Sequence, residues 1–338
     1  MKRIKKDTFY SLLFLIFVFF AGLFMGYSNS KNMDELYALE DAIITSSAKL
    51  PDSSQPLTYK EWLKEKKIKH SEFLIKNLDQ MTCQEIIDYH QKMLDIPDTN
   101  YSISYENLIT KETYDYREND LTVVASTSKI LIAMIYIDLM EEEKIELDAP
   151  IAYSPAYYQA GAGAITNDAG NHSSYPLDKV IEEMIIHSDN TATMMLKNYY
   201  RNYFGSYEKK LQEVLSLTEE DISQYDLLWN RLNTHYLKEG LKLAAHNIDY
   251  QGLIQLMLEA EQPFFLSTYV DENMAVKYGQ LGAGQHDLGI YYIEDKPIYL
   301  IVVLTNQLTR EQADEFIGRI NLNLVTQALY QDYLNTFK

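Results

Sequence analysis

The chain has 338 residues, 46% hydrophobic and 23% charged, with a formal net charge of −19. That length supplies one large core or two lobes, with chain left over for an anchor. An acidic chain with no basic stripe excludes nucleic-acid binding and favours neutral or cationic ligands. Cys83 is the single cysteine, so no intrachain disulfide can form. The seven histidines lack ligand spacing such as H-E-x-x-H, so no metal and no other cofactor is expected.

Residues 8–30 carry no charge, and Lys2, Arg3, Lys5 and Lys6 precede them. A helix of about 20 apolar residues crosses the roughly 30 Å hydrocarbon layer, and basic flanks stay in the cytoplasm. The pattern predicts a cytoplasmic tail over 1–7 and a single-pass membrane anchor over 8–30, with the remainder extracellular. A cleaved signal peptide is the alternative. Its apolar region is shorter, and Ser28-Asn29-Ser30 is a poor cleavage site. Residues 31–100 read as a helical, charged connector, broken where Pro51 and Pro56 forbid helix continuation. Within it, Thr82-Cys83-Gln84-Glu85 is a capping-box pattern that opens a helix through Leu94. Pro97-Asp98-Thr99 marks a turn, and with it a boundary before a domain over 101–338.

That domain begins with β-favouring runs over 101–105 and 112–116, an expected antiparallel pair leading into 121–124. Residues 130–140 are densely apolar and long enough for a buried helix. Leu177, Val180, Ile181, Met184, Ile185 and Ile186 mark one face of another helix, and a further helix is expected over 191–200. Two strands over 288–293 and 298–305 flank Glu294-Asp295-Lys296-Pro297, a hairpin pattern. Thr309-Arg310-Glu311-Gln312 caps a last helix that can run to Phe337. Strands at both ends with helices between give an α+β class: an antiparallel sheet flanked by helices, plus an inserted, mostly helical lobe.

Three strings carry chemistry. Ser126-Thr127-Ser128-Lys129 puts a hydroxyl and an amine at i and i+3, on one face if Ser126 opens the 130–140 helix. A serine needs a neighbouring base to become a nucleophile, and a desolvated lysine can lose its charge and serve as one. A helix N-terminus there favours a developing oxyanion. The S-x-x-K string occurs four times, at Ser28, Ser46, Ser126 and Ser206, and only Ser126 enters an apolar helix after a strand-like run. Ser188-Asp189-Asn190 occurs once; all three are also good helix N-caps. Lys277-Tyr278-Gly279 precedes the hairpin, whereas the other K-x-G string, Lys238-Glu239-Gly240, has no strand after it.

In that order the three strings resemble S-x-x-K, S-D-N and K-T-G of the class A β-lactamase and penicillin-binding-protein superfamily. The resemblance covers roughly residues 101–338. It implies a serine hydrolase acylated on Ser126 by a β-lactam or a related cell-wall peptide amide. Lys129 is then the base, Ser188 the proton relay to the leaving nitrogen, and Asn190 the holder of the substrate amide carbonyl. Lys277 and Gly279 serve the substrate carboxylate and the close backbone approach, and Gln280 lends its N–H to the oxyanion hole beside that of Ser126.

Two departures qualify the activity. Tyr278 stands where the family carries threonine, which puts carboxylate binding in question. The E-x-x-L-N glutamate that activates the deacylating water is absent; Asp226-Leu227-Leu228-Trp229-Asn230 is the nearest string, with Asp226 the candidate base. Efficient turnover makes a β-lactamase, and slow deacylation a D-alanyl-D-alanine peptidase. Loss of activity would leave a membrane-tethered scaffold of the same fold. Tyr153, Tyr157 and Tyr158 are candidates for a cleft wall, whereas His187 and His286 read as ordinary packed or hydrogen-bonded side chains.

Overall fold

Alternation along the strands puts a hydrophobic layer on each side of one sheet. In the strand Lys296–Thr305, Leu300, Val302 and Leu304 face one core, while Tyr299, Ile301 and Val303 face another. The protein is described here as a computed structural model covering residues 55–168, 170–218, 230–260 and 262–337. In chain order, helices α1 (Tyr59–Lys66) and α2 (Cys83–Met93) precede strands β1 (Tyr101–Asn107), β2 (Thr113–Tyr116) and β3 (Thr122–Val123), then helix α3 (Lys129–Glu141). The middle of the chain is mostly helical: β4 (Pro150–Ala152), α4 (Ala164–Asn167), β5 (Ser174–Pro176), α5 (Leu177–Ile186), α6 (Asn190–Tyr203), α7 (Tyr207–Val214), β6 (Arg231–Leu232), α8 (Thr234–His246) and α9 (Gln251–Leu258). It closes with β7 (Met274–Leu281), β8 (Gly284–Ile293), β9 (Lys296–Thr305) and α10 (Arg310–Asn335).

The five-stranded sheet has the order β2-β1-β9-β8-β7, antiparallel throughout, so both ends of the domain contribute strands as expected. The expected pair at its start forms with Ile103 opposite Tyr116. The run after it does not join this sheet: β3 pairs with β6 in a separate two-stranded ribbon, Thr122 opposite Leu232. The hairpin turn is Glu294-Asp295, with Glu294 left-handed at φ 53°, so β8 and β9 are longer than the sequence suggests.

Helix α3 is apolar on every side, and every residue from Ile130 to Ile137 is buried. A helix without a polar face belongs in the middle of a lobe, and α3 packs against α5, α6, α7 and α9. On the far face of the sheet, α10 starts at the expected Thr309 capping box and buries Phe316, Ile317 and Ile320.

The compact unit runs over 57–338, so the boundary expected at residue 100 lies inside it. The reason is tertiary. The apolar faces of α1 and α2, each with its threonine capping box, join the core under α10: Trp62 lies 5.3 Å from the Tyr330 ring, and Cys83, Ile86 and Ile87 are fully buried. The expected anchor over 8–30 and the connector up to residue 54 lie outside the described residues. No helix among the described residues is long and apolar enough to cross a membrane.

Candidate active site

Ser126 lies in a tight turn, Ala125–Ser128, that feeds directly into α3. Ala125 just before it has a left-handed backbone, φ 50°. That conformation costs an L-residue about 1–2 kcal/mol, and such strain persists only where surrounding bonds impose it. Three of them do so here. Asn230 donates its side-chain amide to the Ala125 carbonyl at 2.7 Å, and its own carbonyl accepts from Val124 N at 3.0 Å. The Thr127 hydroxyl donates to the Val124 carbonyl at 2.7 Å. One residue earlier, His286 reaches over from β8. Its Nδ1 accepts from Thr305 N at 3.0 Å, which leaves the proton on Nε2 to be donated to the Val123 carbonyl at 2.9 Å.

Lys129 is one turn on from Ser126 and buried, and its amine crosses to the Ser188–Asn190 segment rather than to Ser126. Its contacts are the Ser188 carbonyl at 2.7 Å, Asn190 Oδ1 at 2.9 Å, Ser188 Oγ at 3.2 Å and the Asp189 carbonyl at 3.5 Å. Burial pulls its pKa well below the usual lysine range, and the charges of Lys277 and Lys197 add to this against the opposing pull of Asp189. A neutral amine has two N–H donors and one lone pair. The donors match the two shortest contacts, and the lone pair is left to accept a hydroxyl proton.

The S-D-N turn is itself built. Ser188 has a left-handed backbone, φ 56°. Asp189 caps α6 by accepting from Ala192 N at 2.9 Å, and it also binds Thr166 through N at 2.8 Å and Oγ1 at 2.7 Å. It therefore points inward as a structural group, and the capping role and the site role coexist. Asn190 donates its amide N–H to the Ala160 carbonyl at 3.0 Å while its oxygen holds Lys129.

The third string lies along β7. A β-carbon on Gly279 would fall 2.8 Å from the Val124 carbonyl and 2.9 Å from the backbone nitrogens of Ser126 and Thr127, so β7 runs directly against the serine turn. Gln280 follows at the cleft edge and donates its side chain to Gln285 Oε1 at 2.7 Å. Lys277 is fully buried; its amine donates to the Tyr278 carbonyl at 3.2 Å and stands 4.3 Å from the centre of the Tyr278 ring. Burial lowers its pKa to about 7, with buried Asp287 pulling the other way. Tyr278 does not fill the cleft. Its ring packs edge-on against Phe264 at 4.9 Å, and the Arg310 guanidinium covers the other aromatic at 3.8 Å.

Ser126, Lys129, Asn190 and Gln280 therefore converge on one cleft of about 230 Å³. Asp226 lies outside the described residues. Tyr153 and Tyr157 pack against the core, and exposed Tyr158 is not part of the cleft lining. The decoy strings have structural jobs: Ser206 caps α7 by accepting from Lys209 N, and Lys238 lies in α8 and pairs with Asp115 at 2.6 Å. Sequence reasoning gave no site role to five lining residues outside the S-x-x-K string: Ala125, Thr193, Lys197, Asn230 and Leu281. Asn230 ends the D-L-L-W-N string, and Thr193 and Lys197 follow Asn190 at helical spacing, so a signal for those three was present.

A model of the β-lactamase enzyme family matches residues 85–224, a stretch holding the Ser126 and Ser188 strings. Over that stretch the chain is similar to the β-lactamase enzyme family. Solved structures agree on the fold. PBP-A superposes with a TM-score of 0.61 at 18% identity, covering 73% of this chain and 96% of its own. A β-lactamase from Chitinophaga pinensis gives 0.60 at 17%, covering 72% and 97%. A point mutant of PBP-A, solved as an acyl-enzyme complex with penicillin G, gives 0.61 at 19%, covering 73% and 97%. Among curated proteins no sequence matches. The β-lactamase-like fold therefore rests on remote likeness, and the site rests on its own geometry.

Proposed function

We propose that the protein is a membrane-anchored, extracytoplasmic hydrolase that β-lactams or related cell-wall peptide amides acylate on Ser126. One observation carries the reading: the buried Lys129 amine is held between Ser188 and Asn190, one turn from Ser126, with its pKa pulled down by burial. The Ser126 oxygen attacks the substrate carbonyl and forms the acyl C–O bond, and its proton passes to the Lys129 lone pair. The N–H groups of Ser126 and Gln280 face the developing oxyanion. As the C–N bond breaks, Ser188 hands a proton to the leaving nitrogen and regains one from Lys129.

The missing E-x-x-L-N string favours slow deacylation, the behaviour of a D-alanyl-D-alanine peptidase or penicillin-binding protein; a working Asp226 makes a β-lactamase. Mass spectrometry of the purified protein after penicillin exposure, followed over time, separates these. An adduct that forms and persists selects the peptidase, and one that forms and clears selects the β-lactamase. No adduct on the wild type, or equal labelling of Ser126→Ala, defeats the acylation reading and leaves the scaffold. The uncharged 8–30 run behind four basic residues supports the anchor. Full-length protein is expected to stay with membranes washed in alkaline carbonate, and release of a shortened form would refute that part.

A further inference from the structure

Helix α6 presents Asn190, Thr193 and Lys197 to the cleft at spacings of three and four, so one helical face lines it over two turns. Lys197 belongs to none of the three strings. Its side chain is partly buried, its amine is 5.1 Å from the Tyr207 ring centre, and it makes no ion pair with any described residue. The carboxylate whose charge reaches it, Glu208, is already paired with Arg201. Lys129 and Lys197 thus line one pocket, and the charge of Lys277 also reaches Lys129. With Lys129 neutral as the base, Lys197 is the cation that this pocket's described lining offers to an anion, although the chain as a whole carries −19.

We propose that Lys197 is a specificity-determining residue that recognises a second anionic group, a carboxylate, on the acyl side of the substrate. The proposal rests on the acylation reading. An acyl amide held at Asn190 has Lys197 two turns, about 10 Å, further along the same helix, within reach of a side chain that extends from that amide. One charge-assisted contact in such a cleft is worth about tenfold. The preferred substrates are then β-lactams or peptides whose acyl chain carries a carboxylate.

The test uses two penicillins that differ only in the acyl chain, benzyl against α-carboxybenzyl, with acylation efficiency of the full-length protein read by intact-mass time courses. The measured quantity is the ratio of the two efficiencies, which general damage to the site does not move. The wild type is expected to prefer the carboxylated probe about tenfold. Lys197→Met should bring the ratio near one, Lys197→Glu should invert it, and Lys197→Arg should keep it. The same ratio in all four proteins, or a wild type that is indifferent to the carboxylate, overturns the proposal while the acylation reading stands. No adduct from either probe on the wild type overturns both.

Discussion

Gly279 lies flat against Ser126: a β-carbon at position 279 would come within 2.9 Å of the Ser126 backbone nitrogen. The crowding atoms are backbone and cannot swing aside, so Gly279→Ala must push β7 off the serine turn. The expected result is at least a tenfold loss of penicillin acylation, with a stability cost of about 1–3 kcal/mol from overpacking. Acylation kinetics and a thermal melt on the same sample check it. Wild-type acylation by this variant would remove β7 from the site.

Lys129→Ala removes the base and empties the contacts to Ser188 and Asn190. Acylation is expected to fall by about 10²–10⁴, the usual range for losing a general base. In the wild type the rate should climb with pH through a pKa well below that of an ordinary lysine, because burial favours the neutral amine. A rate that rises only near the ordinary lysine pKa would show that Lys129 does not act as the base.

Lys277 gives the opposite limb. Its pKa is lowered to about 7, so it carries charge below that pH and loses it above. If it attracts the substrate carboxylate, apparent affinity for penicillin should weaken as pH rises through about 7, and Lys277→Arg, charged at any working pH, should flatten that loss. Affinities measured from pH 6 to 9 decide the matter, and identical profiles for the two proteins would separate Lys277 from carboxylate binding.

His286 sets an acid limit on stability. It is buried, its pKa is lowered to about 4 by that burial, and both ring nitrogens are engaged. The unfolded chain takes up this proton below about pH 6.5 while the folded protein refuses it. Stability should therefore drop as pH falls from about 6.5 to about 4 and then level off, on the order of 3 kcal/mol from this group. Denaturant titrations across that range should show a shallower acid slope for His286→Gln. A slope equal to the wild type's would assign the acid loss to other groups.

Much of the site was legible in order and spacing. The apolar 130–140 run fixes a buried helix, and with it where Ser126 and Lys129 stand relative to each other. The Thr82 and Thr309 capping boxes form as their patterns require, because a cap is a contact within four residues. The docking of residues 57–100 on the main core was not legible, for the converse reason. The partner of Trp62 is Tyr330, and no local pattern announces a contact across that much chain.

By itself the sequence determined the chemistry available: a serine, an amine three residues on, a capping S-D-N turn, and a strand with a glycine where the backbone must come close. Only the tertiary structure decided how these meet. It turned the Lys129 amine toward Ser188 and Asn190, laid the Tyr278 ring on Phe264 outside the cleft, strained Ala125 under the Asn230 clamp, and brought Lys197 to the same cavity. The physical reason is that helical and strand periodicities fix which way a side chain faces its own element, whereas burial, pKa and hydrogen-bond partners depend on which distant element packs against it.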